Sequence, residues 1–188
     1  MSNLSLKIQF YSPWNCGSGL SAGADADTLV IKNSQGLPFV PGKTIKGLVR
    51  EAVEDYVSLR NINLPLDKAF GVEAVGEACS GTQVGYLFFT NADLSEEESS
   101  AILAAHAENL LFINKVETAI GENGITQEHS LRTIETTIPC TLHAQIMHVD
   151  EELAKVIEAA VGFVKRMGAG RNRGLGRCRF TIEKGGLA

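Results

Sequence analysis

The apolar residues of this chain change their spacing several times, and this alternation limits the folds that the chain can adopt. In "LSLKIQFY", residues 4–11, apolar and polar residues alternate, as they do in a strand with one buried face. From about residue 44 the apolar residues recur three and four positions apart, which predicts an amphipathic helix. Segments of both kinds follow, in the order β, α, β, a polar excursion, β, α, β. This order predicts a mixed domain of the α+β class.

The middle of the chain supplies further strands and a short helix. "VGYLFFT" is a predicted strand, and "SEEESSAILAAHAENL" begins with a capping box, Ser95 with Glu98 three residues later. "LLFINKV" and "TIPCTLHAQIMHV" are predicted strands on either side of a polar stretch at 117–137, whose "GENG" indicates an exposed tip. Asp150 then caps a long amphipathic helix, with Gly168 as the expected C-terminal cap, and "RCRFTI" is the last strand.

Length and composition indicate a globular protein. The 188 residues, 44% of them hydrophobic, suffice for one domain with a sizeable core. No apolar run approaches the roughly 18 residues needed to cross a membrane, and the first residues lack the pattern of a signal peptide. The four cysteines stand far apart, which argues against a zinc knuckle and fits reduced thiols. We therefore expect a cytoplasmic protein with no membrane partner, in which Cys140 and Cys178 are buried small residues.

The stretch "MGAGRNRGLGR", residues 167–177, combines four glycines with three arginines. Dinucleotide and P-loop motifs run from strand through glycines to helix, so that the helix N-terminus faces the phosphate. Here the order is helix, glycines, strand, and no Gly-Lys-Ser/Thr ends the loop. We therefore expect no nucleotide cofactor. The loop offers instead a backbone that a charged partner can approach, with arginines to bind it; a simple glycine-rich turn is the alternative.

The charge of the chain is unevenly distributed. The net charge is −5, yet residues 165–184 contain seven basic residues and one acidic residue. Acidic residues gather at 93–98 and at 150–152. Because binding depends on the local field, a basic face on an acidic protein permits a nucleic-acid partner. Attraction between acidic and basic parts, within one copy or between copies, is the alternative.

The segment "LPFVPGKTIKGLVR", residues 37–50, predicts a cationic helix face. At 100° per residue, one arc opposite the apolar face holds Lys43, Lys46, Gly47 and Arg50. Thr44 is a plausible N-cap, and the helix N-terminus adds partial positive charge. Glycine inside a helix costs about 1 kcal/mol relative to alanine, which requires a reason, although a solvated helix face is the simpler interpretation.

Four segments resemble the motifs of one known family. "LPFVPGKTIKGLVR" resembles the proline-glycine, small hydroxyl, lysine-glycine, arginine motif of the RAMP superfamily, the CRISPR-associated RNA-binding proteins. "AFGVEAVGEACSGTQVGYLFFTNADL" is similar to its phenylalanine-glycine segment and central strand, and "GAGRNRGLGRCRF" to its C-terminal glycine-rich loop and strand. "KVETAIGENGITQEHSLRTIE" resembles the β-thumb of the backbone-subunit branch, ending in Leu131, Arg132 and Glu135. These segments occur in the same order as in the family and cover nearly the whole chain. Together they most resemble the small repeating backbone subunit of type III effector complexes.

The resemblance implies a fold, a set of partners and a set of RNA contacts. The fold is one domain over residues 1–188, a modified ferredoxin-like (RRM-like) core of the βαββαβ type with a thumb at about 115–137. Several copies would line up head to tail on one CRISPR guide RNA, beside other effector-complex subunits, while the thumbs interrupt its duplex with complementary target RNA. A guide of any sequence is held through phosphates and 2′-hydroxyls. The residues expected at the RNA are Lys43, Thr44, Lys46, Gly47, Arg50, His129, Arg132, Gly168, Gly170, Arg171, Arg173, Gly174 and Arg177.

The loop after the first strand resembles the one in which type III backbone subunits carry an aspartate needed for target-RNA cleavage. Alignment of "ADTLVIKN" puts Asp27 at that position, with Asp25 as the alternative. The carboxylate would hold Mg²⁺ or a similar divalent cation beside the scissile phosphate, with RNA oxygens as further ligands, or would deprotonate the attacking 2′-hydroxyl. The resemblance thus implies a metal-dependent endoribonuclease. Ordinary loop aspartates forming Asx turns are the alternative.

Two other functions are compatible with the sequence. A scaffold subunit that binds guide RNA without cutting differs from the nuclease only in the role of Asp25 and Asp27. A guide-RNA-processing endoribonuclease would use a histidine. The chain has four histidines, and no acid–base pair is evident around any of them; they are His106, His129, His143 and His148.

Overall fold

The computed structural model describes residues 2–21, 26–72, 83–118, 123, 125 and 130–183. In chain order the elements are β1 (Ser2–Phe10), α1 (Gly42–Arg60), α2 (Leu66–Phe70), β2 (Gly71–Val72), β3 (Gln83–Val84), β4 (Phe88–Phe89), α3 (Glu96–Ala104), β5 (Phe112–Glu117), β6 (Arg132–Thr137), β7 (Thr141–Val149), α4 (Glu151–Ala160) and β8 (Cys178–Glu183). Short 3-10 turns lie at Glu108–Leu111, Val161–Phe163 and Arg171–Arg173. Within these described ranges no helix is long and apolar enough to cross a membrane.

Four strands form an antiparallel sheet in the order β4-β7-β1-β8. In β1, Lys7 lies opposite His143 of β7 on one side and Thr181 of β8 on the other. Helix α1 follows β1 in the chain and α4 joins β7 to β8. This is the strand order and connection pattern of a ferredoxin-like βαββαβ domain, so the prediction of an α+β chain with antiparallel strands is confirmed.

The two long helices cover one face of this sheet. The apolar side chains that alternate along β1 are almost completely buried, as are those that α1 and α4 turn toward the sheet. Each fully buried aliphatic side chain contributes about 1.5–3 kcal/mol, so this layer dominates the stability of the domain. Its most buried members are Leu6, Ile8, Ile45, Val49, Val53, Leu142, Ile146 and Ile157.

The predicted ends of both long helices need correction. Helix α1 begins at Gly42 after Pro41, and Thr44 lies inside it, donating its backbone N–H to the Pro41 carbonyl at 2.9 Å. Thr44 is therefore not the N-cap, because proline already fixes the entry of the chain into the helix. Helix α4 ends at Ala160, well before Gly168, so Gly168 is not its C-cap. At Gly168 φ is +85°, and a Cβ there would collide with the Asn15 carbonyl oxygen. Glycine is therefore needed for this backbone conformation and for the close approach to Asn15.

The polar stretch at 117–137, in which the residue pattern predicted no strand, ends in one. Its last six residues form β6, which pairs with β5 from Phe112↔Thr137 to Glu117↔Arg132. Polar β6 residues form a strand because neighbouring segments supply its hydrogen bonds, a nonlocal effect that periodicity does not reveal. The chain then turns through Pro139, so the predicted strand "TIPCTLHAQIMHV" begins only at Thr141. Nine residues in the middle of the expected thumb, 119–122, 124 and 126–129, lie outside the described residues.

The predicted strand "VGYLFFT" is also divided. Its first part belongs to β3, which pairs with β2, and its second part is β4. Gly85 lies between them, and a Cβ at this position would collide with the backbone of Ala69 and Gly71. The close approach of α2 and β2 therefore bends the chain where the sequence predicted a continuous strand.

Candidate nucleic-acid interface

Residues 12–17 hold two of the predicted RNA-binding regions together. Trp14 exchanges backbone hydrogen bonds with Thr137 at the end of β6, with N–O distances of 3.0 and 2.7 Å. The Asn15 carbonyl accepts the Ala169 N–H at 2.9 Å, and the Asn15 side chain donates to the Glu135 carbonyl at 2.7 Å. This buried segment therefore fixes the glycine-rich loop beside the base of the β5–β6 hairpin.

The glycines of residues 167–177 are required by the path of the backbone. Gly170, Gly174 and Gly176 have φ values of +68°, +88° and +65°, which L side chains rarely adopt. A Cβ on Gly176 would also collide with the Met167 carbonyl oxygen. The alternative of a glycine-rich turn therefore explains these glycines, but it does not explain the three arginines between and after them.

The three arginines of this loop are exposed but have different surroundings. The Arg173 guanidinium lies 3.1 Å from the Glu117 carboxylate at the end of β5. The Arg171 carbonyl accepts a hydrogen bond from Arg166 at 2.9 Å, and the Arg171 residue is exposed beside a cavity that α1 also lines. In the described part of the chain, no carboxylate lies within ion-pair distance of Arg171 or Arg177. These two side chains are available to an anionic partner.

Helix α1 presents its predicted cationic arc to a cleft of about 400 Å³. The opposite wall of the cleft is the β2–β3 pair with Phe70. Lys43 is exposed, and Lys46 reaches inward to within 3.5 Å of the Leu87 carbonyl oxygen. Burial, together with the neighbouring charge of Arg50, lowers the pKa of Lys46. A bound anion would remove this penalty, because it would compensate the desolvated ammonium.

Gly47 is exposed between these lysines, and a Cβ there would meet nothing within 4 Å. Packing inside the domain therefore gives no reason for a helix-breaking residue in the second turn of α1. A partner that approaches the helix backbone closely would supply that reason.

Arg50 has a different role from the two lysines. Its guanidinium donates to Glu54 at 2.6 Å, to the Gly71 carbonyl at 2.6 Å and to Asp67 at 3.1 Å. Glu54 is the largest cause of the raised pKa of Arg50. Arg50 thus ties α1 to α2 and β2 and shapes the cleft, with three of its five N–H donors engaged.

The cleft lined by Lys43 and Lys46, the lysine cleft, is connected to the glycine-rich loop through residues 12–17. Burial raises the pKa of the Cys16 thiol, and the nearby charge of Lys43 partly offsets this effect. Cys16 follows Asn15, whose backbone receives the loop. The predicted cations of α1 and those of the loop therefore flank one short stretch of chain.

Asp27 is exposed at the edge of β6 that faces away from β5. Its Oδ2 accepts the Thr133 N–H at 2.7 Å, and its own N–H donates to the Thr133 carbonyl at 2.8 Å. Thr28 continues this pairing as a parallel bridge to Ile134. One carboxylate oxygen is thus engaged, and none of the described residues binds the other.

The remaining predicted site residues are less well defined. Arg132 is exposed and pairs across the hairpin with Glu117. Asp25, the alternative catalytic residue, and His129 lie outside the described residues. Among the residues that are described, no group of three or more His, Cys, Asp or Glu side chains is arranged to hold a metal ion. Any cation at Asp27 would therefore need most of its ligands from elsewhere.

The sequence interpretation did not select Asn15, Lys32 or Glu135 as functional residues. Glu135 contacts the chain segment that carries Asp27, through Val30 N–H and Lys32 Nζ at 2.9 and 2.8 Å. Its place at the end of "LRTIE" was the only available signal, and that signal did not indicate what the carboxylate binds.

The open face of the central sheet differs from an RNA-stacking surface. Its two central strands present Ser5 and Lys7 opposite Gln145 and His143. RRM domains stack bases on aromatic side chains at this face. Of these four side chains only His143 has an aromatic ring, so the cationic regions of the domain are the stronger candidate for RNA binding.

Comparison with known proteins assigns a family to this fold. A model of the RAMP superfamily matches residues 7–179, and the chain belongs to this superfamily. A chain of the Type III-B Cmr-beta complex bound to cognate target RNA has a similar fold, with TM-score 0.70, 10% identity and 97% of each chain covered. The apo state of Type III-B Cmr-beta gives TM-score 0.69 at 10% identity, again with 97% of each chain covered.

A chain of a Type IV-B CRISPR complex is also similar, with TM-score 0.63 and 14% identity over 100% of this chain and 92% of that one. No curated protein matches the chain. At these identities the structural matches show a shared fold over the full length. The predicted membership of the RAMP superfamily is confirmed by the family match over residues 7–179.

Proposed function

We propose that this chain is the repeating, RNA-binding backbone subunit of a type III CRISPR effector complex. Its partners are then a guide RNA, complementary target RNA, further copies of itself and the other subunits of the complex. Membership of the RAMP superfamily and the fold shared with chains of Cmr-beta and Type IV-B complexes support this assignment. The observation that carries it is the cationic region formed by the lysine cleft and the glycine-rich loop.

The guide RNA lies along this region and is held by its phosphates. Lys43 and Lys46 bind phosphate oxygens at the cleft, Gly47 lets the RNA backbone approach α1, and Arg171 and Arg177 bind the next phosphates at the loop. Such contacts are independent of base sequence, as a guide of variable sequence requires. The β5–β6 hairpin is the base of the thumb that separates target-strand segments.

Charge reversal in the loop tests this arrangement. The double variant Arg171→Glu/Arg173→Glu is expected to weaken binding of guide-length single-stranded RNA by about tenfold or more at low salt. Arg60→Glu/Arg179→Glu is the matched control, because it makes the same change in net charge at exposed positions elsewhere. Equal RNA affinity of the two variants would remove the loop from the site.

Successive copies would associate head to tail along the guide. A contact between two different surfaces extends into an open filament, whose length the RNA sets. The acidic residues at 93–98 or at 150–152 would face arginines of the next copy. This pairing requires self-association that weakens as salt rises, and salt-independent association would contradict it.

Target-RNA cleavage is assigned to Asp27. The free oxygen of its carboxylate would deprotonate the attacking 2′-hydroxyl or contribute one ligand to Mg²⁺, with RNA oxygens and water completing the set. When bound, the cation would stabilise charge on the scissile phosphate. The bond to Thr133 fixes the carboxylate at the base of the thumb, where the target strand would be interrupted.

Two variants of Asp27 separate its charge from its position. Asp27→Asn keeps an oxygen that accepts the Thr133 N–H, whereas Asp27→Ala loses both charge and hydrogen bond. Both are expected to bind target RNA and fail to cleave it in a guide-loaded assembly. Cleavage by Asp27→Ala at the wild-type rate would contradict the assignment.

A non-cleaving scaffold is the second candidate function. The observation that favours it is the solitary position of Asp27, since the described residues offer no second carboxylate arranged with it to hold a metal ion. Guide-dependent RNA binding without cleavage by the wild-type assembly would establish this second function.

A further inference from the structure

We propose that Glu135 is a positioning residue that holds the Asp27 carboxylate in place, an inference that rests on the proposed cleavage function. Glu135 lies on β6, two residues beyond Thr133, the hydrogen-bond partner of Asp27. Its side chain is only 12% exposed, although glutamate is usually solvated. A carboxylate this buried requires partners that compensate its charge.

Within the described ranges, both hydrogen-bond partners of the Glu135 side chain belong to the segment that follows Asp27. Oε2 accepts the Val30 N–H at 2.9 Å, and Oε1 accepts from Lys32 Nζ at 2.8 Å. Lys32 Nζ also lies 3.8 Å from the centre of the Phe112 ring, on the neighbouring strand β5. The ammonium is thus fixed from two sides, by a carboxylate and by an aromatic face.

The backbone of Glu135 reinforces the same connection. Its N–H donates to the Thr28 carbonyl at 3.0 Å, and its carbonyl accepts from the Asn15 side chain at 2.7 Å. Residues 27–32 therefore lie along β6 through bonds from Thr133 at one end and Glu135 at the other. Asp27 stands at the exposed end of this segment, so the Glu135 anchor restricts the backbone from which the carboxylate projects, in addition to the direct bond from Thr133.

A charged anchor is better suited to this task than an apolar one. The segment has few buried apolar side chains to hold it, chiefly Ala26 and Val30. A buried carboxylate that loses its partners is strongly destabilised, so the segment and β6 stay together as a unit. Displacement of a catalytic group by about 1 Å can cost about 100-fold in rate, which explains the need for such an anchor.

Two substitutions at Glu135 and one control test this role in the guide-loaded assembly. Glu135→Ala removes the acceptor for Val30 and Lys32. Glu135→Gln keeps an oxygen for the Val30 N–H and is therefore the conservative variant. Asn114→Ala is the control, because Asn114 is exposed directly opposite Glu135 on β5 and contributes no bond to residues 27–32.

Amide hydrogen exchange supplies a readout that does not depend on activity. In Glu135→Ala the amides of Val30 and Thr133 should exchange about tenfold faster or more, while core amides of β1 and β7 keep their protection. The single-turnover cleavage rate should fall by about 10- to 100-fold with RNA affinity unchanged, and Glu135→Gln should recover part of both losses. Asn114→Ala should match the wild type in every measurement.

Unchanged exchange at Val30 and Thr133 in Glu135→Ala would overturn the proposal. Faster exchange with an unchanged cleavage rate would overturn it as well, since the position of Asp27 would not then depend on the anchor. A wild-type assembly that does not cleave contradicts the cleavage function instead. In that case the two exchange rates alone still decide whether Glu135 holds the segment.

Discussion

The Arg173 guanidinium lies 3.1 Å from the Glu117 carboxylate, so an ion pair joins the glycine-rich loop to the β5–β6 hairpin. Arg173 is 75% exposed, whereas Glu117 is only 17% exposed. Solvent weakens such a pair to about 0–1 kcal/mol, which an RNA phosphate can overcome. The Glu117 carboxylate therefore positions the Arg173 guanidinium and also competes with RNA phosphates for it.

Removal of this competitor should strengthen RNA binding. We expect Glu117→Gln to raise the affinity for single-stranded RNA by about two- to fivefold at low salt, with a smaller effect at high salt. Fluorescence anisotropy with labelled RNA measures the change. Glu97→Gln, an equal charge change on exposed α3, corrects for net charge, and equal gains in both variants would contradict the role of Glu117.

Gly47 should show opposite effects on stability and binding. Gly47→Ala is expected to stabilise the free protein by about 0.5–1 kcal/mol, because alanine favours the helix and its Cβ meets nothing within 4 Å. The same methyl group should weaken RNA binding by about tenfold, since it stands where the RNA backbone approaches. Urea denaturation and RNA titration measure the two effects.

Gly162→Ala is the control for this substitution. Gly162 also has open space around its Cβ position, but it lies outside the proposed RNA path. Full RNA affinity in Gly47→Ala would show that no partner approaches this turn of α1.

Substitutions of Arg50 and of Lys43 on α1 should differ in their effect on stability in the same assays. Arg50→Gln loses bonds to Glu54, Asp67 and Gly71, so we expect a loss of about 1–3 kcal/mol in unfolding free energy together with weaker RNA binding. Lys43→Gln should weaken RNA binding at unchanged stability, because Lys43 is exposed. A destabilised Lys43→Gln, or an Arg50→Gln as stable as the wild type, would contradict these roles.

Two loop glycines should differ in their tolerance of alanine. Gly174→Ala places a side chain at φ +88° in open space and should cost about 1 kcal/mol. Gly176→Ala combines a φ of +65° with a collision against the Met167 carbonyl oxygen, so it should cost about 3 kcal/mol or more. Thermal unfolding distinguishes them, and equal costs would show that the loop is not packed as described.

Asp150, the N-cap of α4, should make the stability of the fold sensitive to acid. The N–H of Leu153, and then Tyr86 Oη at 2.7 Å, bind the Asp150 carboxylate and lower its pKa below 3.8. Its charge therefore stabilises the fold above about pH 3.8, and this contribution is lost as the pH falls through the lowered pKa.

Asp150→Asn retains an N-cap oxygen but removes the charge. It should be less stable than the wild type by about 0.5 kcal/mol at pH 7, and the difference should disappear once the pH falls below the lowered pKa of Asp150. Urea denaturation across this pH range measures it. A difference that persists in acid would show that packing, not charge, is responsible.

Local patterns in the sequence predicted the local structure well. The capping box is present, with Glu98 N–H donating to Ser95 Oγ at 3.2 Å, and Asp150 caps α4 as expected. Both depend on residues three positions apart. The apolar spacing of α1 likewise predicted its buried face, because a helix places residues three and four apart on one side.

The sequence interpretation missed features that depend on pairing between distant segments of the chain. Strand β6 has no apolar alternation, and its position depends on Trp14 and Thr28, more than 100 residues earlier in the chain. For the same reason the sequence did not reveal what Glu135 binds. Lys43 and Lys46 could be predicted to lie together because one helix carries both, whereas the ion pair of Arg173 with Glu117 joins the glycine-rich loop to the distant strand β5.

Binding of guide-length single-stranded RNA across a salt series, with ATP and duplex DNA as competitors, tests the central claim most directly. The account predicts binding that resists ATP, grows stepwise with RNA length and weakens steeply with salt. In Lys43→Gln/Lys46→Gln the slope of log affinity against log salt should shrink by about 1.4, because each lost phosphate contact removes about 0.7 on single strands. Absence of RNA binding, displacement of RNA by ATP, or a slope unchanged in the double variant would contradict the assignment of this region as the RNA site.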